Sequence, residues 1–71
     1  MALYQHRRSS GKQLLYDIEY DDDEYFITRD GEMKKAVPDA IVAAVAPSEA
    51  SAKLMLRMAI ADIEALIGME E

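Results

Sequence analysis

A chain of 71 residues with a formal net charge of −6 and no cysteine is one small domain that disulfides and thiolate-bound metals cannot stabilise. The negative charge disfavours general binding to the phosphate backbone of nucleic acids. The longest apolar run, "AIVAAVAP", is far shorter than the roughly 20 residues that span a membrane, and the N-terminal segment lacks the apolar stretch of a signal peptide. We therefore expect a cytoplasmic protein with no membrane segment.

The N-terminal segment differs in charge from the rest of the chain. It contains no acidic residue, whereas residues 14–35 contain eight. Its basic side chains are His6, Arg7, Arg8 and Lys12. With its Ser-Ser-Gly sequence, this composition predicts a flexible basic arm over residues 1–13, followed by a single folded domain over residues 14–71. In an alternative arrangement, Leu3 and Tyr4 dock the arm as a short edge strand.

The first two predicted strands form a hairpin. Residues 14–20 alternate between apolar and polar side chains, which is typical of a strand with one buried face. Residues 25–28 are rich in aromatic and β-branched side chains. A four-residue loop over residues 21–24 places Ile18 opposite Ile27, so that the apolar faces of the two strands coincide.

Gly31 marks a second turn, which leads into a third strand over residues 32–37. A two-residue turn would place Lys34 opposite Ile27. A three-residue turn, with Gly31 in the left-handed conformation, places Met33 there instead. We predict the three-residue turn, because it leaves a single lysine on the apolar face, near the sheet edge, where its stem can cover apolar surface.

Two helices are predicted after the strands. Residues 38–46 begin with proline and are rich in alanine, which favours a short helix, although their β-branched residues also suit a strand. Residues 49–67 form a long helix, with Ser48 as its N-cap and Gly68 in the left-handed position after its end. The predicted fold class is α+β: a three-stranded antiparallel meander, a short helix, and a long C-terminal helix packed on the sheet.

The long helix has two apolar stripes, whereas covering a sheet requires only one. The stripe expected to face the sheet consists of Ala52, Met55, Leu56, Ala59, Ile63 and Leu66. The second stripe consists of Leu54, Met58, Ala61 and Ala65. The short helix can cover only about half of the second stripe. We therefore predict a homodimer that uses this stripe as its interface, which also enlarges the core of a small domain.

Four adjacent acids, residues 21–24, raise the question of a metal or catalytic site. Counted as a calcium-binding loop from Asp21, the sequence places Tyr25 where an oxygen ligand is needed and Phe26 where glycine is needed. A surface loop also lacks the partly dry cleft that catalytic carboxylate pairs require. We interpret the acids as a solvated hairpin tip and predict no metal site.

No combination of residues predicts catalysis or a bound cofactor. His6 is the only histidine, so a multi-histidine metal site is excluded, and the serines have no recognisable base and orienting partner. Tyr16, Tyr20 and Tyr25 share one strand face and could stack nucleobases, but their acidic neighbours favour packing beneath the helix.

The sequence therefore favours a small non-catalytic protein-interaction module that forms a homodimer and binds an unknown protein partner. The alternative is a dimeric nucleic-acid-associated regulator whose basic arm contacts phosphates through the four basic side chains named above. The order of elements resembles that of small antitoxin-like and regulatory proteins, a likeness of fold that does not define function. An enzyme is a distant third alternative.

Overall fold

The computed structural model describes residues 2–35 and 49–69. These residues form an antiparallel sheet of four strands with a helix packed on one face, so the predicted α+β class is confirmed. The elements are β1 (Ala2–Arg7), β2 (Leu15–Tyr20), β3 (Tyr25–Arg29), β4 (Glu32–Lys35) and α1 (Glu49–Ala65). The predicted short helix over residues 38–46 and the end of the predicted third strand lie outside the described residues. Within the described ranges, no helix has the length and apolar character needed to cross a membrane.

The N-terminal segment provides the fourth strand. β1 pairs with β2 along its whole length, from Ala2 opposite Tyr20 to Arg7 opposite Leu15. Residues directly opposite each other in an antiparallel pair share a face, so the alternation of β1 continues that of β2 across the sheet. The prediction of three strands is wrong by one, because residues 2–7 belong to the sheet, as in the edge-strand alternative.

The hairpin between β2 and β3 has the predicted register. Ile18 lies opposite Ile27, and Tyr20 lies opposite Tyr25. Ile18 and Ile27 are fully buried, so the apolar faces of the two strands coincide and fix the pairing. This prediction is confirmed.

The turn between β3 and β4 is shorter than predicted. Arg29 lies opposite Glu32, which leaves Asp30 and Gly31 as a two-residue turn. Both turn residues have positive φ, 53° at Asp30 and 79° at Gly31. Two positive φ angles are typical of a type I′ turn, whose twist matches that of the flanking strands. The left-handed conformation predicted for Gly31 is confirmed, whereas the three-residue turn is wrong.

A bulge in the β3–β4 pairing decides which side chains of β4 face the core. Thr28 lies opposite Met33. The next pair joins Ile27 to Lys35, so Lys34 is an extra residue in β4. The predicted place of Met33 opposite Ile27 is therefore wrong: Met33 lies on the other face and is 55% exposed. Lys35 lies on the face of the core, as the single lysine expected there.

The core lies between α1 and the sheet face that it covers, which we call the covered face. The strands contribute the fully buried side chains of Tyr16, Ile18, Tyr25 and Ile27. The C-terminal segment contributes Met55, Ala59, Ile63 and Met69. Burying one large aliphatic side chain, such as that of Ile18, stabilises a fold by about 1.5–3 kcal/mol. The packing of α1 on the sheet therefore contributes strongly to stability. The predicted first stripe of the helix thus supplies the centre of the core.

The helix ends two residues earlier than predicted, in a Schellman motif. The N–H of Ile67 donates to the carbonyl oxygen of Asp62 (3.1 Å), and the N–H of Leu66 donates to that of Ile63 (3.3 Å). Gly68 has the predicted left-handed conformation, with a φ of 71°, but the position directly after the helix is occupied by Leu66, whose φ is 55°. A left-handed leucine is unfavourable, but here its side chain packs against the core, which offsets the cost.

Candidate functional site

The C-terminus of α1 lies against the segment that follows β1. Arg8 donates from Nε to the carbonyl oxygen of Ile63 (3.2 Å) and from Nη2 to that of Glu64 (3.1 Å). Carbonyls in the last turn of a helix lack partners within the helix and carry the negative end of its dipole. The last turn of α1 has no basic residue of its own, so Arg8 supplies both the hydrogen bonds and the positive charge.

The Glu64 side chain holds the same segment. Its carboxylate accepts hydrogen bonds from His6 Nε2 (2.9 Å), from the backbone N–H of Ser9 (3.0 Å) and from the Ser9 hydroxyl. The Ser9 hydroxyl, followed by His6, lowers the pKa of Glu64 to about 2, because both bonds favour the ionised carboxylate. We call His6, Arg8, Ser9 and Glu64 the clamp, since they tie the end of β1 to the end of α1.

The four basic side chains predicted to contact nucleic acid do not form one surface. His6 and Arg8 are half-buried in the clamp. Arg7 is exposed and donates from Nη1 to the carbonyl oxygen of Gln13 (3.0 Å), and it lies on the face opposite His6. Lys12 is exposed beyond the end of β1. The clamp gives His6 and Arg8 a structural role, and nucleic-acid contact stays a prediction.

A second polar cluster lies inside the domain. The Asp62 residue is 6% exposed, and its Oδ2 accepts a hydrogen bond from the Tyr25 hydroxyl and lies 2.8 Å from Lys35 Nζ. An unpaired buried carboxylate would cost several kcal/mol, so these two partners are needed. On the helix surface, Asp62 lies between the two stripes. Its spacing of seven residues from Met55 is the signal that places both on one helix face.

The three tyrosines considered for stacking nucleobases pack toward the core, where Tyr20 is half-buried. Tyr16 and Tyr25 are fully buried beneath α1, which confirms the predicted packing role. The hydroxyl of Tyr16 has no hydrogen-bond partner in the part of the chain that the structure describes. The guanidinium of Arg29 lies 5.9 Å from the centroid of the Tyr16 ring, a cation–π distance.

The acidic loop between β2 and β3 is a turn held by its own first residue. Asp21 Oδ1 accepts hydrogen bonds from the backbone N–H groups of Asp23 and Glu24, both at 2.9 Å. The N–H of Asp23 is the main cause of the lowered pKa of Asp21, while the side-chain hydrogen bond to Asp21 chiefly raises the pKa of Asp23. The three carboxylates have oxygens within 4.8 Å of one another and could weakly attract a cation, but the loop is a hairpin tip, as predicted.

The predicted partner interface on α1 is divided by the structure. Leu54 and Met58 are half-buried and pack against the core of their own chain. Ala61 and Ala65 are exposed. Half of the second stripe therefore contributes to the fold, and its role as a dimer interface stays a prediction.

The sheet face opposite α1, which we call the open face, mixes apolar and charged side chains. Its members are Leu3, Gln5 and Arg7 on β1, Leu15, Asp17 and Glu19 on β2, Phe26 and Thr28 on β3, and Met33 on β4. Leu3 is 65% exposed, Leu15 41% and Met33 55%. Gln5 Nε2 donates to Asp17 Oδ1 (2.9 Å) between these apolar positions. Exposed apolar side chains around a polar centre suit a protein-binding surface.

Comparison with known proteins adds no relative. None of the known protein families, curated protein sequences or solved structures matches this chain. The functional argument therefore rests on the surfaces described above.

Proposed function

We propose that this protein is a small, non-catalytic, cytoplasmic interaction module that works as a homodimer and binds a protein partner through its open face. The observation that carries the proposal is the exposure of Leu3, Leu15 and Met33 on the sheet face that α1 leaves uncovered. The absence of cysteine is compatible with a reducing compartment.

The arrangement of the polar groups supports a binding role over chemistry. Asp62 is paired with Lys35 and Tyr25, and Glu64 is occupied by the clamp. Both carboxylates therefore form hydrogen bonds and ion pairs that stabilise the fold. The open face, in contrast, presents both apolar and polar side chains. Such a mixture is compatible with a protein interface, because protein interfaces are typically about as apolar as the rest of a protein surface.

Capture of partners by paired surface variants tests the proposal. The tagged chain is incubated with nuclease-treated lysate of its source cells, beside Leu15→Lys/Met33→Lys and the control Ala61→Lys/Ala65→Lys. Both variants add two positive charges at exposed sites, so they are matched in charge and differ in location. We expect the open-face variant to lose a partner that the control retains, with thermal unfolding verifying that both variants are folded.

Other outcomes of the same experiment are equally informative. Loss of the partner only in the Ala61→Lys/Ala65→Lys variant would move the binding surface to the second stripe of α1. A complex that forms in untreated lysate but not after nuclease treatment, and that Arg7→Ala weakens with a salt slope lower by about one, would favour the nucleic-acid alternative. Retention of the partner by both variants would contradict binding through the open face.

A further inference from the structure

Among the described residues, no backbone partner lies at the outer edge of β1. β1 is the first strand in the sheet order, so in the described part of the chain only β2 lies beside it. The N–H of Arg8 donates to the carbonyl oxygen of Leu14 (3.1 Å) and continues the β1–β2 ladder. Bonding alternates along an antiparallel edge strand, so the even-numbered residues of β1 bond to β2. Leu3, Gln5 and Arg7 therefore direct their N–H and C=O groups away from the sheet.

The two outermost strands of the sheet differ in how they are protected against pairing. β4 has four residues, a bulge at Lys34 and a second lysine, Lys35. Native proteins block edges with such bulges and lysines, and with proline. β1 has six residues in regular register, and its residues 2–5 are uncharged and exposed. The β1 edge is thus suited to accept another strand.

We propose that β1 pairs antiparallel with β1 of a second copy, centred on Gln5, so that two four-stranded sheets join into one sheet of eight strands. The inference rests on the proposed homodimer and names its interface. In this register Leu3 of each copy lies opposite Arg7 of the other. All three outward-facing residues then bond across the two-fold axis, whereas a shift of two residues would leave some of them unpaired.

Charge favours this edge as the meeting point of two copies. A net charge of −6 makes two chains repel each other, but β1 contains no acidic residue. Its arginine, Arg7, lies at one end of the strand. In the centred register the two Arg7 side chains lie at opposite ends of the pair, each beside Leu3 instead of beside each other. The strand therefore meets its copy without opposing arginines, which would weaken a cross-strand pair.

Tyr4 provides a second reason to place a chain at this edge. It lies opposite Ile18 on the covered face, yet it is 43% exposed, because α1 packs on β2 and β3. A pair centred on a residue keeps the covered faces of both copies on the same side. Tyr4 then lies opposite His6 of the second copy, which gives it a neighbour on the outer side of β1.

Disulfide cross-linking tests the interface, because the chain has no cysteine of its own. In the centred register the two Gln5 positions form a hydrogen-bonded pair with Cα atoms about 5.5 Å apart, which a disulfide can bridge. The Gln5→Cys chain should oxidise to a covalent dimer, and Met33→Cys should do so far more slowly. Circular dichroism verifies that both variants are folded. If Ala61→Cys cross-links and Gln5→Cys does not, the inference is overturned but the homodimer remains. If neither Gln5→Cys nor Ala61→Cys cross-links, the inference is also overturned.

Charge at Leu3 tests the register. On the Gln5→Cys background, Leu3→Lys places like charges opposite Arg7 in both symmetric pairs and should slow cross-linking about 2- to 30-fold. Leu3→Glu removes the same apolar surface but places opposite charges there, and should speed cross-linking by a similar factor. Within one chain Leu3 faces Glu19, so effects on the monomer have the opposite sign. Equal effects of the two substitutions would overturn the register.

Discussion

The covered and open faces of the sheet are built from alternate residues of the same strands, yet their side chains differ sharply in burial. On β2, Tyr16 and Ile18 are fully buried beneath α1, while Leu15 is 41% exposed and Asp17 is half-buried. The period-two pattern of a strand therefore separates the residues that hold the fold from the residues that remain available for binding.

Acidic side chains also differ in burial between the two sides of the sheet. On the covered side, Asp62 is held by Lys35 and Tyr25 and is almost completely removed from water. On the open face, Asp17 keeps access to water and accepts a hydrogen bond from Gln5. A charge on the covered side is part of the fold, whereas a charge on the open face can be exchanged at little cost to stability.

Alanine substitutions on the two faces test whether the covered face contributes more to stability than the open face. Ile27→Ala removes a fully buried side chain and leaves a cavity, so it should lower the free energy of unfolding by about 2–5 kcal/mol. Leu15→Ala on the open face should change it by less than about 0.5 kcal/mol. Urea denaturation measures both values, and similar losses of stability would contradict the difference between the two faces.

The buried ion pair gives the next largest effect. Lys35→Met leaves the Asp62 carboxylate with only the Tyr25 hydroxyl, and the lost pairing should cost about 2–3 kcal/mol, below the range for fully buried pairs because Lys35 is partly exposed. Adding Asp62→Leu to Lys35→Met removes the unpaired charge and should recover much of the stability. Urea denaturation measures the free energy of unfolding of the single and double variants. If the double variant is less stable than Lys35→Met, the unpaired Asp62 carboxylate is not the cause of the loss.

Gly31 sharpens the comparison because its turn sets which side chains of β4 lie on which face. Gly31→Val should cost about 1–2 kcal/mol, since a branched side chain disfavours the φ of 79°. Apart from the chain neighbours of Gly31, no atom of the described residues lies within 4 Å of the added Cβ, so the cost comes from the backbone conformation. Gly31→Asn should cost less, because asparagine tolerates this conformation. Equal thermal stability of Gly31→Val and the unmutated chain would contradict the left-handed turn.

The clamp should make stability depend on acid pH. The pKa of Glu64 is lowered in the folded chain from 4.5 to about 2, so its contribution is complete above pH 4.5 and is lost as the pH falls toward 2. Glu64→Gln lacks this ionisation. The difference in unfolding free energy between the unmutated chain and Glu64→Gln should therefore shrink over that range. Chemical denaturation at several pH values measures it, and a constant difference would show that the carboxylate does not hold β1.

The sequence was informative where a pattern is local and regular. The register of the β2–β3 hairpin follows from alternation and loop length, and the burial of Met55, Ala59 and Ile63 follows from helical spacing. The acidic tip also follows, since Asp21 hydrogen-bonds to backbone groups two and three residues later.

The remaining features depend on contacts between distant residues or on a local irregularity. The clamp joins His6 and Arg8 to Glu64, more than fifty residues away, and no local pattern reports such a contact. The two-residue turn places Met33 opposite Thr28 on the open face, and the bulge at Lys34 then places Lys35 opposite Ile27. The open face follows from alternation, but its exposed side chains do not identify the proposed partner.

Sedimentation equilibrium of the unmutated chain tests most directly whether the protein forms the proposed homodimer. The account predicts a folded species with twice the 8.0 kDa mass of one chain, which dissociates on dilution. A folded species of 8.0 kDa at every concentration from micromolar to millimolar would contradict the homodimer and its pairing through β1.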